Sequence, residues 1–171
     1  YEPGLEPLIA ETVAAGRLWA TTDVRAALEN AEVALICVGT PSERNGNLNL
    51  EYVRRVCEQI RACLDGRSAK LVVAVRSTVF PGTCEEVVLP ALDHHPQAVV
   101  VSNPEFLREG AAVKDFLEPS LLVVGGYDRA AMELVAGLYE PLLVEACLVS
   151  LRTAEMIKYA CNAFHATKVA F

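Results

Sequence analysis

Residues 99–115 read VVVSNPEFLREGAAVKD, and this stretch decides the fold. Its opening run of β-branched residues has the continuous apolar pattern of a strand buried on both faces. Ser102-Asn103-Pro104 ends that strand, because proline has no N–H for the ladder. Glu105, Arg108 and Glu109 follow at once, interleaved with Phe106 and Leu107. In open parallel sheets ligands bind in the crevice outside the carboxyl ends of the strands. Charge released abruptly at such an end is therefore charge placed for chemistry.

The same strand-then-polar-turn pattern occurs twice before. Glu32–Val38 runs into Gly39-Thr40-Pro41-Ser42, and Lys70–Val75 runs into Arg76-Ser77-Thr78. Further strands are expected at Ala98–Val101, at Leu121–Val124 before Gly125-Gly126, and within Leu142–Val149, with a brief one at Leu18–Ala20. Between them lie helices. Glu6–Ala15 carries Leu8, Ile9 and Val13 on one face, and Asp23 caps a short helix through Asn30. Leu50, Val53, Val56, Cys57, Ile60 and Leu64 recur at helical spacing over Asn49–Asp65. Thr83 and Glu86 have the spacing of a capping box, opening a helix that Pro90 limits. Asp128 caps a helix through Tyr139, and residues 43–47 form a polar loop. Strands alternating with helices imply βαβ crossovers and a doubly wound, mostly parallel α/β sheet. A long terminal helix, Arg152–Phe171, leaves the sheet.

Composition narrows the function. The 171 residues are 53% hydrophobic, enough for one sizeable core. A net charge of −7 argues against a nucleic-acid surface. No run approaches the roughly 18–20 apolar residues of a membrane span, and no secretory signal opens the chain. None of the six cysteines forms a C-x-x-C pair, and most lie in apolar patterns. Reduced, buried thiols in a cytoplasmic protein are expected. His94-His95 read as solvated loop residues, with nothing nearby to complete a metal shell.

Parallel strands bring the three polar turns to one crevice. Gly39 allows close backbone approach to a ligand, and Thr40 and Thr78 supply hydroxyls. Ordinary turn chemistry would account for any one of these loops. The terminal helix adds Glu155, Lys158, Asn162 and His165, spaced to fall within a stripe about 80° wide. A solvated face is the plain explanation of such a stripe. A Lys and an Asn one turn apart could instead hold a developing oxyanion. Cys161 sits on the apolar side of that helix without a neighbouring base, as a structural thiol would.

Four strings carry a more specific signal: CVGTPS (37–42), RSTVFPGT (76–83), NPEFLREG (103–110) and AEMIKYACNAFHATKVAF (154–171). Together they resemble the nucleotide-sugar 6-dehydrogenases, the family of UDP-glucose and GDP-mannose dehydrogenases. The likeness runs in order from Glu2-Pro3-Gly4-Leu5 to the end of the chain. It implies NAD-dependent, two-step oxidation of a sugar C6 alcohol to a carboxylate, with a role in polysaccharide biosynthesis. By that resemblance Val38, Gly39, Thr40, Pro41, Ser77, Thr78 and Glu109 belong to the NAD site. Glu105, Lys158, Asn162 and Thr40 belong to the reacting centre. Phe106, Leu107 and Arg108, with His165, would meet the nucleotide sugar alongside Glu105, Lys158 and Asn162.

The resemblance also implies a Rossmann-like domain over residues 1–151, and over 152–171 the start of a connecting helix that joins a homodimer. Two departures qualify it. No G-x-G occurs among the ten glycines, and nothing matches the family's catalytic cysteine. The first strand with its Gly-rich turn and the later thiol domain are therefore expected to lie outside this fragment, which should be inactive by itself. RSTVFPGT and His165 lean toward GDP-mannose over UDP-glucose. Two other classes compete: a non-catalytic α/β nucleotide-binding or assembly domain, and a two-electron hydroxy-acid dehydrogenase.

Overall fold

The computed structural model describes residues 2–44 and 46–171. Tyr1 and Asn45, the latter in the loop expected over 43–47, lie outside the described residues. In chain order the elements are α1 (Leu5–Ala14), α2 (Val24–Leu28), β1 (Val33–Ile36), α3 (Glu51–Arg61) and β2 (Leu71–Val75). A π-helical turn (Cys84–Val88) then runs into α4 (Leu89–Ala91) and β3 (Ala98–Ser102). After α5 (Ala112–Leu117) come β4 (Leu122–Gly126), α6 (Arg129–Gly137), a 3₁₀ turn (Glu140–Leu142), β5 (Ala146–Val149) and α7 (Leu151–Ala170).

The five strands form one sheet in the order β1-β2-β3-β4-β5. β1, β2 and β3 are parallel, β4 runs antiparallel to β3, and β5 is parallel to β4. That single reversal explains how both faces are covered. Parallel crossovers are right-handed. With the sheet growing in one direction, reversing the strands sends the next crossover helix to the opposite face. Accordingly Val53, Cys57 and Ile60 of α3 pack with Val88 and Leu92 against Leu71, Val73 and Val75. On the other face Ala131, Met132 and Val135 of α6 pack against Val72, Ala74 and Val124. The alternation along β2 (71, 73, 75 one way; 72, 74 the other) is the pleat of a strand buried on both sides.

Several local expectations change. Leu18–Ala20 forms no strand. Leu8, Ile9 and Val13 are exposed, and no residue of α1 is buried. Thr83 is no N-cap: its backbone is already helical (φ −59°, ψ −41°), and its hydroxyl donates to the Phe80 carbonyl at 2.7 Å. The helix also runs one residue past Pro90, to Ala91. The wide π turn lies immediately before that proline, whose missing N–H and bulky ring disfavour a regular α ladder. Asp23 and Asp128 do cap α2 and α6, and α7, expected from Arg152, starts at Leu151 behind a Ser150 cap.

Candidate active site

Strand direction carries the three polar turns to one edge, and hydrogen bonds lace them together. The Ser77 hydroxyl donates to the Val38 carbonyl at 2.6 Å, and the Thr40 hydroxyl donates to the Thr78 carbonyl at 2.7 Å. Arg76 N–H reaches the Ile36 carbonyl, and Asn103 N–H reaches that of Val75, both at 2.9 Å. The Thr40 proton is thus committed within the protein, leaving its oxygen to accept. Gly39 is exposed, and a Cβ there would meet only open space. A bare, fixed backbone flanked by hydroxyls suits a cofactor laid against it.

Glu105 is held from two sides. One carboxylate oxygen accepts from the Leu107 N–H at 2.6 Å, and the other meets the Lys158 ammonium at 3.0 Å. Lys158 is 5% exposed, with its Nζ 5.4 Å from the centre of the Phe106 ring. The pair joins β3's outgoing loop to the third turn of α7. A buried ammonium with one carboxylate and an aromatic face is a charge kept in a low-dielectric setting, where its field acts strongly on a reacting atom.

The expected helix stripe divides. Glu155 is 1% exposed and accepts the Gly82 and Cys84 N–H groups at 2.5 and 2.8 Å. It ties α7 to the 81–84 turn and does not reach the crevice. Asn162 and His165 lie on the exposed part of α7. Cys161 is exposed as well, not packed on an apolar side, as are Cys37 and Cys147. Only Cys57 and Cys84 are fully buried. Burial pushes the Cys57 thiol up to about 12, and that of Cys84 well above its ordinary value.

Arg108 and Glu109 do not converge on Lys158. Both are exposed, and the Arg108 guanidinium grips Asp115 through Nε at 2.9 Å and Nη2 at 2.7 Å. The Asp115 carboxyl is held down at about 2 by these bonds. Glu2 closes the loop from the other end, accepting from Gly110 N–H at 2.9 Å. Beside the loop lies a cavity of about 410 Å³, bounded in part by Arg76, Phe106, Arg108, Phe116 and Tyr139. Glu155 acts through partners more than 70 residues away, Asp115 through Arg108 seven residues before it, and Tyr139 reads only as the end of a helix. Among the described residues no cluster could hold a metal ion.

A mostly parallel sheet with three polar turns at one edge, one of them tied to α7 by the Lys158–Glu105 pair, is a Rossmann-like α/β domain. Comparison with known proteins makes this specific. The family described as UDP-glucose/GDP-mannose dehydrogenase, NAD binding domain, matches residues 1–143. This chain belongs to that family, and its cofactor is NAD. It is 44% identical to GDP-mannose 6-dehydrogenase of Pseudomonas putida over 99% of this chain and 40% of that protein. It is 46% identical to UDP-glucose 6-dehydrogenase of Rhizobium meliloti over 100% of this chain and 40% of that one. A ternary complex of GDP-mannose dehydrogenase from Pseudomonas aeruginosa superposes with a TM-score of 0.95 at 41% identity, covering 99% of this chain and 40% of that one. The chain thus spans about 40% of the length of these relatives.

Proposed function

We propose that this chain forms the cofactor half of an NAD-dependent 6-dehydrogenase that oxidises the sugar C6 alcohol of a nucleotide sugar to a carboxylate, with GDP-mannose as substrate. The Glu105–Lys158 pair carries the reading, because it ties α7 to the loop after β3, at the strand-end edge that the hydroxyl-bearing turns of β1 and β2 share. Packing alone does not require a buried ammonium held by a half-buried carboxylate at a strand's mouth. The pair is of doubtful net benefit to stability.

Val38, Gly39, Thr40, Pro41, Ser77 and Thr78 would hold the nicotinamide end of NAD, with Glu109 nearby. When bound, NAD accepts hydride from C6. The balance is one alcohol, one water and two NAD⁺ giving one carboxylate, two NADH and three protons. Lys158, together with Asn162, stabilises the oxyanion at C6. Glu105 takes and returns the proton or orients water. Phe106, Leu107, Arg108 and His165 contact the nucleotide sugar. Residues 1–151 form the NAD domain, and 152–171 begin a connecting helix. The exposed Phe164 and Val169 (71% and 74%) would enter a homodimer interface.

Superposition on the GDP-mannose enzyme and the His165 position support GDP-mannose. The 46% identity to a UDP-glucose enzyme supports the second reading, UDP-glucose to UDP-glucuronate. The test is cofactor stoichiometry in the full-length protein, with both sugar nucleotides offered. Two NADH per sugar, with GDP-mannose giving the higher kcat/KM, are expected. One NADH with a released carbonyl product would refute the four-electron reaction.

A further inference from the structure

Two residues before Glu105, the side chain of Asn103 is fully buried and fully engaged. Its Oδ1 accepts from Arg76 Nη1 at 2.9 Å and from the Tyr139 hydroxyl at 2.7 Å. Its Nδ2 donates to the Val123 carbonyl at 3.0 Å, and its main-chain N–H donates to the Val75 carbonyl at 2.9 Å. Arg76 also hydrogen-bonds the Tyr139 hydroxyl and lies over its ring, 5.8 Å from the centroid. One amide thereby ties the ends of β2 and β3 to Val123 of β4 and to Tyr139, two residues past α6. This is also the join where the sheet reverses direction, since β4 runs antiparallel to β3.

Such a joint is poorly held by the ladder itself. The β3–β4 pairing extends over only Val101↔Gly126 and Ser102↔Gly125, and Pro104 can donate nothing beyond it. The position of Glu105 is then set by what fixes Asn103. A satisfied buried polar network is rigid and specifies one arrangement.

We infer that Tyr139 and Arg76 are positioning residues for the reaction: through the Asn103 amide they hold the Glu105 carboxylate against Lys158. Tyr139 lies 36 positions from Asn103 in sequence and touches neither Glu105 nor Lys158 by hydrogen bond. Burial raises the Tyr139 phenol above its ordinary value, which keeps the hydroxyl a donor through neutral pH. Phe116 of α5 also packs against the Tyr139 ring, tilted, with the ring centroids 6.0 Å apart. This inference rests on the reading of Glu105 as a reacting group.

The experiment is a double-mutant cycle in the full-length enzyme. Tyr139→Phe keeps the ring and its packing but removes the donor. Its kcat should fall roughly tenfold, as expected when a reacting group is displaced by a fraction of an ångström, with KM for NAD unchanged. In a Glu105→Gln background the same change should have no further effect, because the group it positions is gone. Additive losses in the two backgrounds, or a Tyr139→Phe enzyme with lower thermal stability and unaltered kcat, would overturn the positioning role. Arg76→Lys provides the second arm: it keeps a cationic donor for the Asn103 amide oxygen, so kcat should stay nearer wild type than in Arg76→Ala. Equal losses in both would also refute the inference. If Glu105→Gln alone left turnover unchanged, the active-site reading itself would fail, a result distinct from either of these.

Discussion

The two halves of α7 are continuous helix, yet they occupy opposite environments. From Leu151 to Lys158 the helix crosses the sheet, and Leu151, Ala154, Glu155 and Lys158 are buried. From Tyr159 onward every residue is exposed, including Phe164 at 71% and Val169 at 74%. The polar stripe runs through both halves without a break in spacing. Its first two members have become a structural tie (Glu155 to the 81–84 turn) and an ion pair (Lys158 to Glu105). Its last two, Asn162 and His165, are exposed. The same periodicity thus yields three outcomes, and what distinguishes them is how far the sheet extends beneath the helix.

Removing the buried ammonium is the strongest way to test this contrast. Lys158→Ala in the full-length enzyme should lower kcat by about 10²–10³, the loss typical of an oxyanion-stabilising donor. Near-normal turnover would leave the Lys158–Glu105 pair a structural tie like that of Glu155.

A smaller effect comes from beneath the buried half. Gly125 of β4 faces α7 so closely that a Cβ would stand 2.5 Å from the Ala154 Cβ and 2.7 Å from the Ser150 carbonyl oxygen. Gly125→Ala must push the helix off the sheet, destabilising the fold by about 1–3 kcal/mol. Thermal unfolding should show this as a loss of several degrees. Phe164→Ser on the exposed half of the isolated chain should stay within about 0.5 kcal/mol. Equal melting temperatures for Gly125→Ala and Phe164→Ser would break the comparison.

Thiol reactivity sharpens it with the least perturbation. Cys161 on the exposed half should react with a maleimide in the native state, while Cys84, sealed beneath Glu155, should react only on unfolding. Cys57, raised to about 12 by burial, remains a neutral thiol and silent throughout the range from pH 7 to 9. Mass spectrometry of the labelled peptides reads all three. Modification of Cys84 at the rate of Cys161 would show that the first turns of α7 do not stay docked.

The Arg108–Asp115 clamp adds a pH dependence of known sign. A folded-state carboxyl held at about 2, below its unfolded value, contributes stability above the ordinary carboxylate range. That contribution is lost as pH falls toward 2. The Asp115 carboxyl resonance should titrate near that value in the folded protein, and a midpoint near 4 would mean the clamp is open in solution.

Much of this was legible beforehand because it depends on local chemistry. β-Branched runs marked β1, β2, β3 and β4, and Asp23 and Asp128 marked two helix starts, since a strand's burial and an N-cap depend on neighbouring residues. The family resemblance put Glu105 and Lys158 in one centre, and the two side chains do form an ion pair. Thr83 and Glu86 misled because a capping box needs a non-helical N-cap, and the preceding turn had already brought Thr83 into helical geometry. Leu8, Ile9 and Val13 form an apolar face that no other part of the described chain covers to the point of burial.

By itself, then, the sequence determined the strand–helix alternation, the three polar turns, the four motifs that mark the family, and the candidate residues at the crevice. Only the tertiary structure decided which members of one helical stripe are buried, that Arg108 is held by Asp115, and that Asn103 gathers Arg76 and Tyr139. The physical reason is the range of the interactions. Backbone propensity, capping and pleat act over a few residues and can be read in order. A buried polar network is satisfied by whichever distant groups the reversal of the sheet at β4 brings within hydrogen-bond reach.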